Sequence, residues 1–257
     1  MNILKSMFSA FLMYSRLPAP HVEWDEKNRR YSLCFFPLIG AVIGLLIFLW
    51  SIVCLRFNVG TVLFACIAAA IPVLVTGGIH VDGFCDVSDA EAACCDKKRR
   101  LEIMSDSHIG AFAVIKLAVY FIIQVGLFSE LYGCKSFYMV CSAFVISRSL
   151  SGIAAVAFKC AKKSGSLQDF SKSADKKNTF CILLLLLILI YGSALFLKPI
   201  YGIMIILFSS LSFVYYRIFS YKKFGGITGD LEGYFLQICE LAVMASCVCA
   251  LKITEVF

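Results

Sequence analysis

Residues 179–197 read TFCILLLLLILIYGSALFL, an apolar run without one charged side chain. A helix needs about 20 such residues to cross the hydrocarbon core of a membrane, which is about 30 Å thick. Six further runs of similar length occur, at 33–55, 58–76, 110–132, 136–158, 199–219 and 233–251. The sequence therefore predicts an all-α, polytopic membrane helix bundle with about seven transmembrane helices.

The composition argues against a water-soluble globule and favours one membrane domain. The 257 residues are 60% hydrophobic and 16% charged, whereas soluble domains are about half apolar and about a quarter charged. Short polar connections separate the apolar runs, and no linker divides the chain. We therefore expect a single integral membrane domain over 1–257, which begins with an N-terminal interfacial segment at 1–32.

Lysine and arginine are distributed unequally between the two sets of connections. One set, called the basic set below, holds Lys5, Arg16, Lys27, Arg29, Arg30, Lys97, Lys98, Arg99, Arg100, Lys159, Lys162, Lys163, Lys172, Lys176, Lys177, Arg217, Lys222 and Lys223. The opposite set holds only Arg56, Lys135, Lys198 and Lys252. Because cytoplasmic connections concentrate basic residues, we predict a multi-pass protein of the cell membrane with a cytoplasmic N-terminus. The net charge of +7 then reflects topology, and no nucleic-acid partner is expected.

An acidic, glycine-flanked motif follows the second apolar run. It reads GGIHVDGFCDVSD at 77–89 and places Asp82, Asp86 and Asp89 at i, i+4 and i+7. On a helix these carboxylates share one face, where their repulsion favours a cation that prefers oxygen ligands, such as Mg²⁺. An ordinary acidic helix start has the same spacing, because the helix dipole favours acids there. In the first interpretation, 77–109 is an acidic cytoplasmic active-site loop.

A second acidic pair lies just before the third apolar run. Residues 101–106 read LEIMSD, so Glu102 and Asp106 are four residues apart, and the basic run KKRR precedes them at 97–100. Mixed charge at a membrane surface suits an anionic substrate together with a metal ion. Taken alone, the basic run is also typical of a topology determinant that faces anionic lipid.

A short repeat links two distant segments of the chain. Residues 77–82 read GGIHVD and residues 225–230 read GGITGD, so both follow the pattern G-G-I-x-x-D. Glycines let backbone amides approach a phosphate closely, and the terminal acid could share a metal ion. We expect the second Gly-rich cytoplasmic loop, 220–232, to meet the first loop at one site.

Three charges fall inside the apolar runs, at Lys116, Arg148 and Glu240. Charge within hydrocarbon is costly and usually faces the bundle interior with a partner. We therefore predict that Arg148 and Glu240 form a buried structural pair, with a substrate contact as the alternative.

Thirteen cysteines do not by themselves indicate a disulfide or zinc framework, because no C-x-x-C occurs and many of them lie in apolar runs. Reduced, small apolar residues are the favoured interpretation. Cys85, Cys94 and Cys95 lie in a polar segment and are kept as an alternative metal site.

In these motifs the chain resembles the cobalamin synthase family, the adenosylcobinamide-GDP ribazoletransferases. The strongest likeness runs from Gly77 through Asp89 to Gly110. Supporting segments are SRLP at 15–18, FPLIG at 36–40, GGITGD at 225–230 and Glu240. The chain departs from the family in three places. Ala113 stands where a glycine is expected, and Lys116 and Glu232 are unexpected charges.

The resemblance implies transfer of adenosylcobinamide phosphate from its GDP-activated form to α-ribazole or α-ribazole 5′-phosphate, with release of GMP. It implies Mg²⁺ as cofactor, the lipid bilayer as surroundings and an active site that faces the cytoplasm. It leaves a homo-oligomer open. The acidic pattern is also similar to the aspartate motif of CDP-alcohol phosphotransferases, although the full spacing of that motif is absent.

The resemblance also implies roles for individual residues. The catalytic residues would be Asp82, Asp86, Asp89 and Asp106. The metal ligands would be Asp82, Asp86, Asp89 and Asp230. The substrate-binding residues would be Arg16, Gly77, Gly78, His80, Arg100, Glu102, Gly225, Gly226 and Thr228.

An ion-coupled secondary membrane transporter is the alternative function. Glu240 or the broken Gly-rich segments would then bind a coupling ion near the middle of the membrane. Most acids lie in the cytoplasmic connections, where a phosphoryl-transfer site supplied with cytosolic nucleotide needs them. This placement favours the enzyme over the transporter, and a non-catalytic scaffold would leave the clustered acids without a role.

Overall fold

A computed structural model describes residues 3–23, 25–106, 108–162, 167 and 172–256. Within these ranges the chain is helical, without strands, and its one isolated bridge joins Cys160 to Ile227. The helices are α1 (Ile3–Tyr14), α2 (Glu26–Arg29), α3 (Ser32–Arg56), α4 (Thr61–Thr76), α5 (Ile79–Ala92), α6 (Lys97–Ile103), α7 (Ala111–Glu130), α8 (Tyr138–Ala157), α9 (Lys176–Leu197), α10 (Pro199–Lys223) and α11 (Gly229–Val256). Met1, Asn2 and Trp24 of the expected interfacial segment, Ser107 of the acidic segment and Lys163 of the basic set lie outside the described residues.

The predicted polytopic bundle is confirmed. In the part of the chain that the structure describes, six helices are long and apolar enough to cross a membrane: α3 and α7 to α11. The pair α4 and α5 would add a seventh crossing, although the two helices are bent by 96° at their junction. Because α4 is apolar and α5 is acidic, we treat α4 as the crossing segment and α5 as a helix outside it.

Two segments expected as loops are largely helical. The segment 77–109 contains α5 and α6, and the Asp96 carboxylate starts α6 by accepting the Arg99 N–H at 2.8 Å. In the segment 220–232, α10 and α11 leave only 224–228 as a connection. The acidic residues occur at helical spacing and follow glycines or caps, so local hydrogen bonding favours helices over an extended loop.

The turn between α4 and α5 depends on two glycines. Gly77 and Gly78 have φ values of 67° and 82°, in the left-handed region that side chains rarely adopt. Their N–H groups both donate to the Val73 carbonyl, which ends α4. The chain then turns sharply into α5, which lies across the end of the bundle.

Helix α5 packs backbone-to-backbone on the first turns of α11. A Cβ at Gly83 would lie 2.8 Å from the Asp230 carbonyl oxygen, and a Cβ at Gly233 would lie 3.0 Å from the His80 carbonyl oxygen. A side chain at position 83 would therefore clash with the backbone of α11, and one at position 233 would force the backbone of α5 to shift by a few tenths of an ångström. The contact brings the acidic face of α5 close to Asp230.

The connection after α10 is held by the segment after α8. The Ile227 N–H donates to the Lys159 carbonyl at 2.9 Å, and the Ala161 N–H donates to the Ile227 carbonyl at 2.8 Å. The Thr228 hydroxyl accepts the Leu231 N–H at 3.2 Å and so caps the start of α11. These bonds set the position from which α11 approaches α5.

The predicted pair of Arg148 and Glu240 is present at the centre of the bundle. Arg148 on α8 donates to the Glu240 carboxylate on α11 at 2.6 Å, with 1% and 0% of the two side chains exposed. Ser147 donates to the same carboxylate oxygen at 3.1 Å, and Arg148 also donates to the Phe144 carbonyl at 3.0 Å. The pair therefore links two central helices and neutralises both buried charges.

Glu240→Gln should destabilise the protein strongly. The substitution leaves the Arg148 guanidinium buried without a counter-charge, which costs about 3–5 kcal/mol in comparable sites. Thermal unfolding in detergent measures the effect. Glu130→Gln is the matched control, because Glu130 pairs with Lys252 at 3.1 Å on an exposed surface and solvent screens that pair. Equal melting temperatures for the two variants would contradict the role of the buried pair.

Gly83→Ala should lower stability because its methyl group would meet the Asp230 backbone. Overpacking of this kind costs about 1–3 kcal/mol. Gly126→Ala on α7 is the control, since a Cβ there has no neighbour within 4 Å. A lower melting temperature for Gly83→Ala alone would support the close approach of α5 and α11, and equal melting temperatures would argue against it.

Candidate active site

A cleft of about 950 Å³ opens where α1, α4 and α5 meet. Its walls come from the end of α1 with the following segment 15–19, the glycine turn at 77–78, the first two turns of α5 and the segment 108–109. The cleft is large enough for a nucleotide-sized ligand. The charged residues Arg16, Asp82 and Asp86 are among those that line the cleft.

Arg16 supplies a positive charge to the cleft. Its backbone N–H donates to the Val75 carbonyl at 2.8 Å, which ties the segment after α1 to the end of α4. Its side chain lies against Gly77, where a Cβ would stand 2.6 Å from Nε. Arg16 has no ion-pair partner among the described residues. Its guanidinium is therefore available to an anion in the cleft.

The N-terminus of α5 is a second anion-attracting group. Gly77 and Gly78, expected to offer amides to a phosphate, use both N–H groups to end α4. The next N–H groups, of Ile79, His80 and Val81, have no acceptor among the described residues. The amides at the cleft are therefore those of the first turn of α5, where the helix dipole is positive.

Asp82 and Asp86 lie on successive turns of α5 and both line the cleft. Burial, together with the nearby carboxylates of Asp82, Asp230 and Asp89, raises the pKa of Asp86 to about 7. Lys162, which follows α8, opposes this shift. The acidic face of α5 therefore favours a compensating cation.

The Asp89 carboxylate, predicted as a catalytic and metal-binding group, is hydrogen-bonded to the start of α7. Its two carboxylate oxygens accept the N–H groups of Gly110 at 2.6 Å and Ala113 at 2.8 Å. Asp89 is thus the N-terminal cap of α7 rather than a free ligand in the cleft. Sequence spacing placed it correctly on the acidic face but could not show these distant partners.

The acids of the 101–106 segment are exposed and paired with neighbouring residues. Asp106 is exposed and bonds the His108 ring at 2.7 Å, and this hydrogen bond lowers the pKa of Asp106. Glu102 pairs with Arg99 at 3.0 Å on an exposed surface. Arg100 donates to the Ala93 carbonyl at 3.3 Å. None of these predicted site residues lines the cleft, although His108, the partner of Asp106, does.

The remaining predicted residues surround the site without lining the cleft. His80 is buried behind it on α5, and Asp230 stands at the α5–α11 contact. Gly225, Gly226 and Thr228 lie in the connection before α11, and Thr228 is buried as a cap. The two Gly-Gly-Ile segments therefore converge through the helices that follow them, which brings Asp82 and Asp230 together.

Two residues near the site were not predicted to belong to it. Lys162 belongs to the basic set, but it also influences both Asp86 and Asp230. Glu91 on α5 accepts a hydrogen bond from Lys116 at 2.5 Å, which neutralises the unexpected charge on α7. Neither contact has a sequence signal, because the partners are far apart in the chain.

Two carboxylates of the cleft are the donors available to a metal ion. Among the described residues, no group of three or more His, Cys, Asp or Glu side chains is arranged to hold one. The cysteine alternative is therefore unsupported, with Cys85 buried and Cys94 exposed. The oxygen donors of Asp82 and Asp86 fit Mg²⁺, which commonly takes one or two carboxylates and completes its shell with water and substrate phosphates.

Comparison with known proteins gives a consistent family. The sequence model of the family cobalamin-5-phosphate synthase matches residues 6–248. The adenosylcobinamide-GDP ribazoletransferase of Lachnoclostridium phytofermentans is 43% identical over 241 residues, which cover 94% of this chain and 92% of that protein. Those of Clostridium botulinum and Treponema denticola are 32% and 31% identical, over 95% of this chain and 97% of each relative. No solved structure matches the chain. The chain therefore belongs to the cobalamin-5-phosphate synthase family.

Proposed function

We propose that this chain joins GDP-activated adenosylcobinamide to α-ribazole, or to α-ribazole 5′-phosphate, and releases GMP. The product is adenosylcobalamin or its 5′-phosphate, so the step completes the nucleotide loop of vitamin B12. The observation that carries the proposal is one cleft that combines a free guanidinium, a helix N-terminus and two carboxylates, at Arg16, Ile79, Asp82 and Asp86.

The cleft residues have separate roles in the proposed phosphoryl transfer. Arg16 and the first-turn amides of α5 bind the negative pyrophosphate of the activated corrinoid. Asp82 and Asp86 would hold Mg²⁺, which when bound neutralises charge on the pyrophosphate oxygens. Catalysis then depends mainly on positioning and charge stabilisation.

The proposed reaction forms one bond to phosphorus and breaks another. The attacking ribose oxygen forms a bond to the phosphorus on the cobinamide side, and the bond from that phosphorus to the GMP oxygen breaks. GMP leaves with that electron pair, and the hydroxyl proton passes to a carboxylate. Asp230 suits the acceptor role because it is half-buried and close to Asp82 across the α5–α11 contact.

A transporter is disfavoured by the partners of the charges inside the long helices. Glu240 is paired with Arg148, and Lys116 is paired with Glu91. Neither therefore offers an unpaired charge to a coupling ion.

Asp82→Asn and Asp86→Asn should each reduce GMP release by at least about a hundredfold, because metal at phosphoryl oxygens contributes several kcal/mol. Each substitution keeps size and removes charge. The assay uses purified protein with adenosylcobinamide-GDP, α-ribazole and Mg²⁺.

Glu102→Gln is the matched control, because Glu102 lies outside the cleft in an exposed ion pair. It should retain near-normal GMP release. Higher Mg²⁺ or Mn²⁺ should partly restore a ligand variant but not a variant of the proton acceptor. Normal turnover by folded Asp82→Asn and Asp86→Asn proteins would place the metal elsewhere.

We further propose that the cleft faces the cytoplasm. The end of the bundle that carries the cleft also carries much of the basic set, including Lys97, Lys162 and Lys223. Cytoplasmic nucleotide would reach the cleft directly from that side.

Cysteine labelling tests the orientation. In a cysteine-free background, Lys98→Cys and Lys172→Cys should react with an impermeant thiol reagent only after the membrane is opened. Lys135→Cys, at the opposite end, should react in intact cells. All three positions are exposed, so accessibility to solvent does not distinguish them. The reverse pattern would overturn the proposed orientation.

A further inference from the structure

A second cavity of about 120 Å³ lies deeper in the bundle beside the cleft. Met13, Ile79 and Asp82 line both spaces, so the cavity adjoins the cleft at the proposed phosphoryl-transfer site. Its other walls come from α3, α8 and α11. A ligand in the cleft can therefore extend one part into this cavity past Asp82.

The floor of the cavity carries a buried carboxylate with an unused oxygen. Glu232 on α11 is 6% exposed, and its Oε2 accepts a hydrogen bond from the Ser151 hydroxyl at 2.6 Å. Its Oε1 has no hydrogen-bond partner at ordinary bonding distance, and the Tyr216 hydroxyl, which likewise lacks one, lies close enough to stabilise the carboxylate. His80, also 6% exposed, lines the cavity and has an unpartnered Nε2. Buried polar groups without partners are rare, so a ligand that supplies donors explains them.

The lining selects a neutral group that donates hydrogen bonds. Asp82, Asp230 and Glu232 contribute carboxylates to the same cavity, which repel a phosphate and attract hydroxyl groups. The phosphates are drawn instead to Arg16 in the cleft. The rings of Tyr14 and Phe36, with centroids 4.4 Å apart, form an apolar wall. Carboxylates beside a ring surface are typical partners of ribose hydroxyls.

The volume of this second cavity limits the size of the ligand group that can enter it. A cavity of about 150 Å³ holds benzene, so a fused benzimidazole base does not fit into the 120 Å³ available here. The edge of a ribose ring, with one hydroxyl, needs less room. The base and the 5′ group of the acceptor would then remain in the larger cleft.

We propose that this cavity is the acceptor-ribose subsite, in which Glu232 binds the ring hydroxyl next to the attacking hydroxyl. The inference rests on the proposed function. In the proposed function α-ribazole 5′-phosphate is also an acceptor, and its 5′ oxygen carries the phosphate. The nucleophile is therefore one of the two ring hydroxyls. The other ring hydroxyl donates to Glu232 Oε1, and this bond directs the nucleophile toward Asp82 and Asp230.

The two monodeoxy forms of α-ribazole test the subsite in the unaltered protein. One lacks the nucleophile and should give no GMP. The other keeps the nucleophile and lacks the neighbouring hydroxyl, and its kcat/KM should fall by about tenfold, the usual loss when a buried hydrogen-bonding group is left without its partner. No loss with the reactive analogue would overturn the proposal. Absence of GMP release with α-ribazole itself would instead refute the proposed function.

Glu232→Leu completes the test as a double-substitution cycle, because leucine has a similar size and no hydrogen-bond acceptor. If Glu232 accepts a hydrogen bond from this hydroxyl, the variant should use α-ribazole and the reactive deoxy analogue almost equally, with an unchanged KM for adenosylcobinamide-GDP. Glu91→Leu is the control, because Glu91 pairs with Lys116 and lines neither space. It should keep the full discrimination. An equal penalty for the deoxy analogue in the unaltered protein and in Glu232→Leu would show that Glu232 does not bind the hydroxyl.

Discussion

The close contact between α5 and α11 is the constraint on which the site depends. Gly83 and Gly233 let the two backbones approach more closely than larger residues would at the same positions. This approach brings the acidic face of α5 to Asp230 and leaves the small cavity above Glu232. Any wider spacing would separate the carboxylates and enlarge that cavity.

Positive and negative groups line neighbouring walls of the cleft beside this contact. Arg16 and the N-terminus of α5 make one wall of the cleft positive, while Asp82 and Asp86 make the neighbouring wall negative. Such a pairing suits a ligand that carries both phosphates and a metal ion. Burial and the neighbouring carboxylates raise the pKa of Asp86, and the positive charge of Lys162 partly offsets this rise.

The bundle supports the site through contacts deep between the long helices. The pair of Arg148 and Glu240 joins α8 to α11, and Ser151, one turn farther along α8, holds Glu232. The same two helices therefore carry both the structural pair and the cavity floor. A shift of α11 relative to α8 would disturb both at once, which couples the stability of the bundle to the geometry of the subsite.

The sequence alone determined the features that depend on local periodicity and composition. Apolar runs of helical length predicted the bundle, and the spacing of the acids placed Asp82 and Asp86 on one face of a helix. Burial cost alone predicted a partner for Glu240. Tertiary structure decided which groups reach the cleft: it turned Asp89 into the cap of α7 and left Glu102 at the surface. Those outcomes depend on contacts between residues far apart in the chain, which packing settles and a linear pattern does not contain.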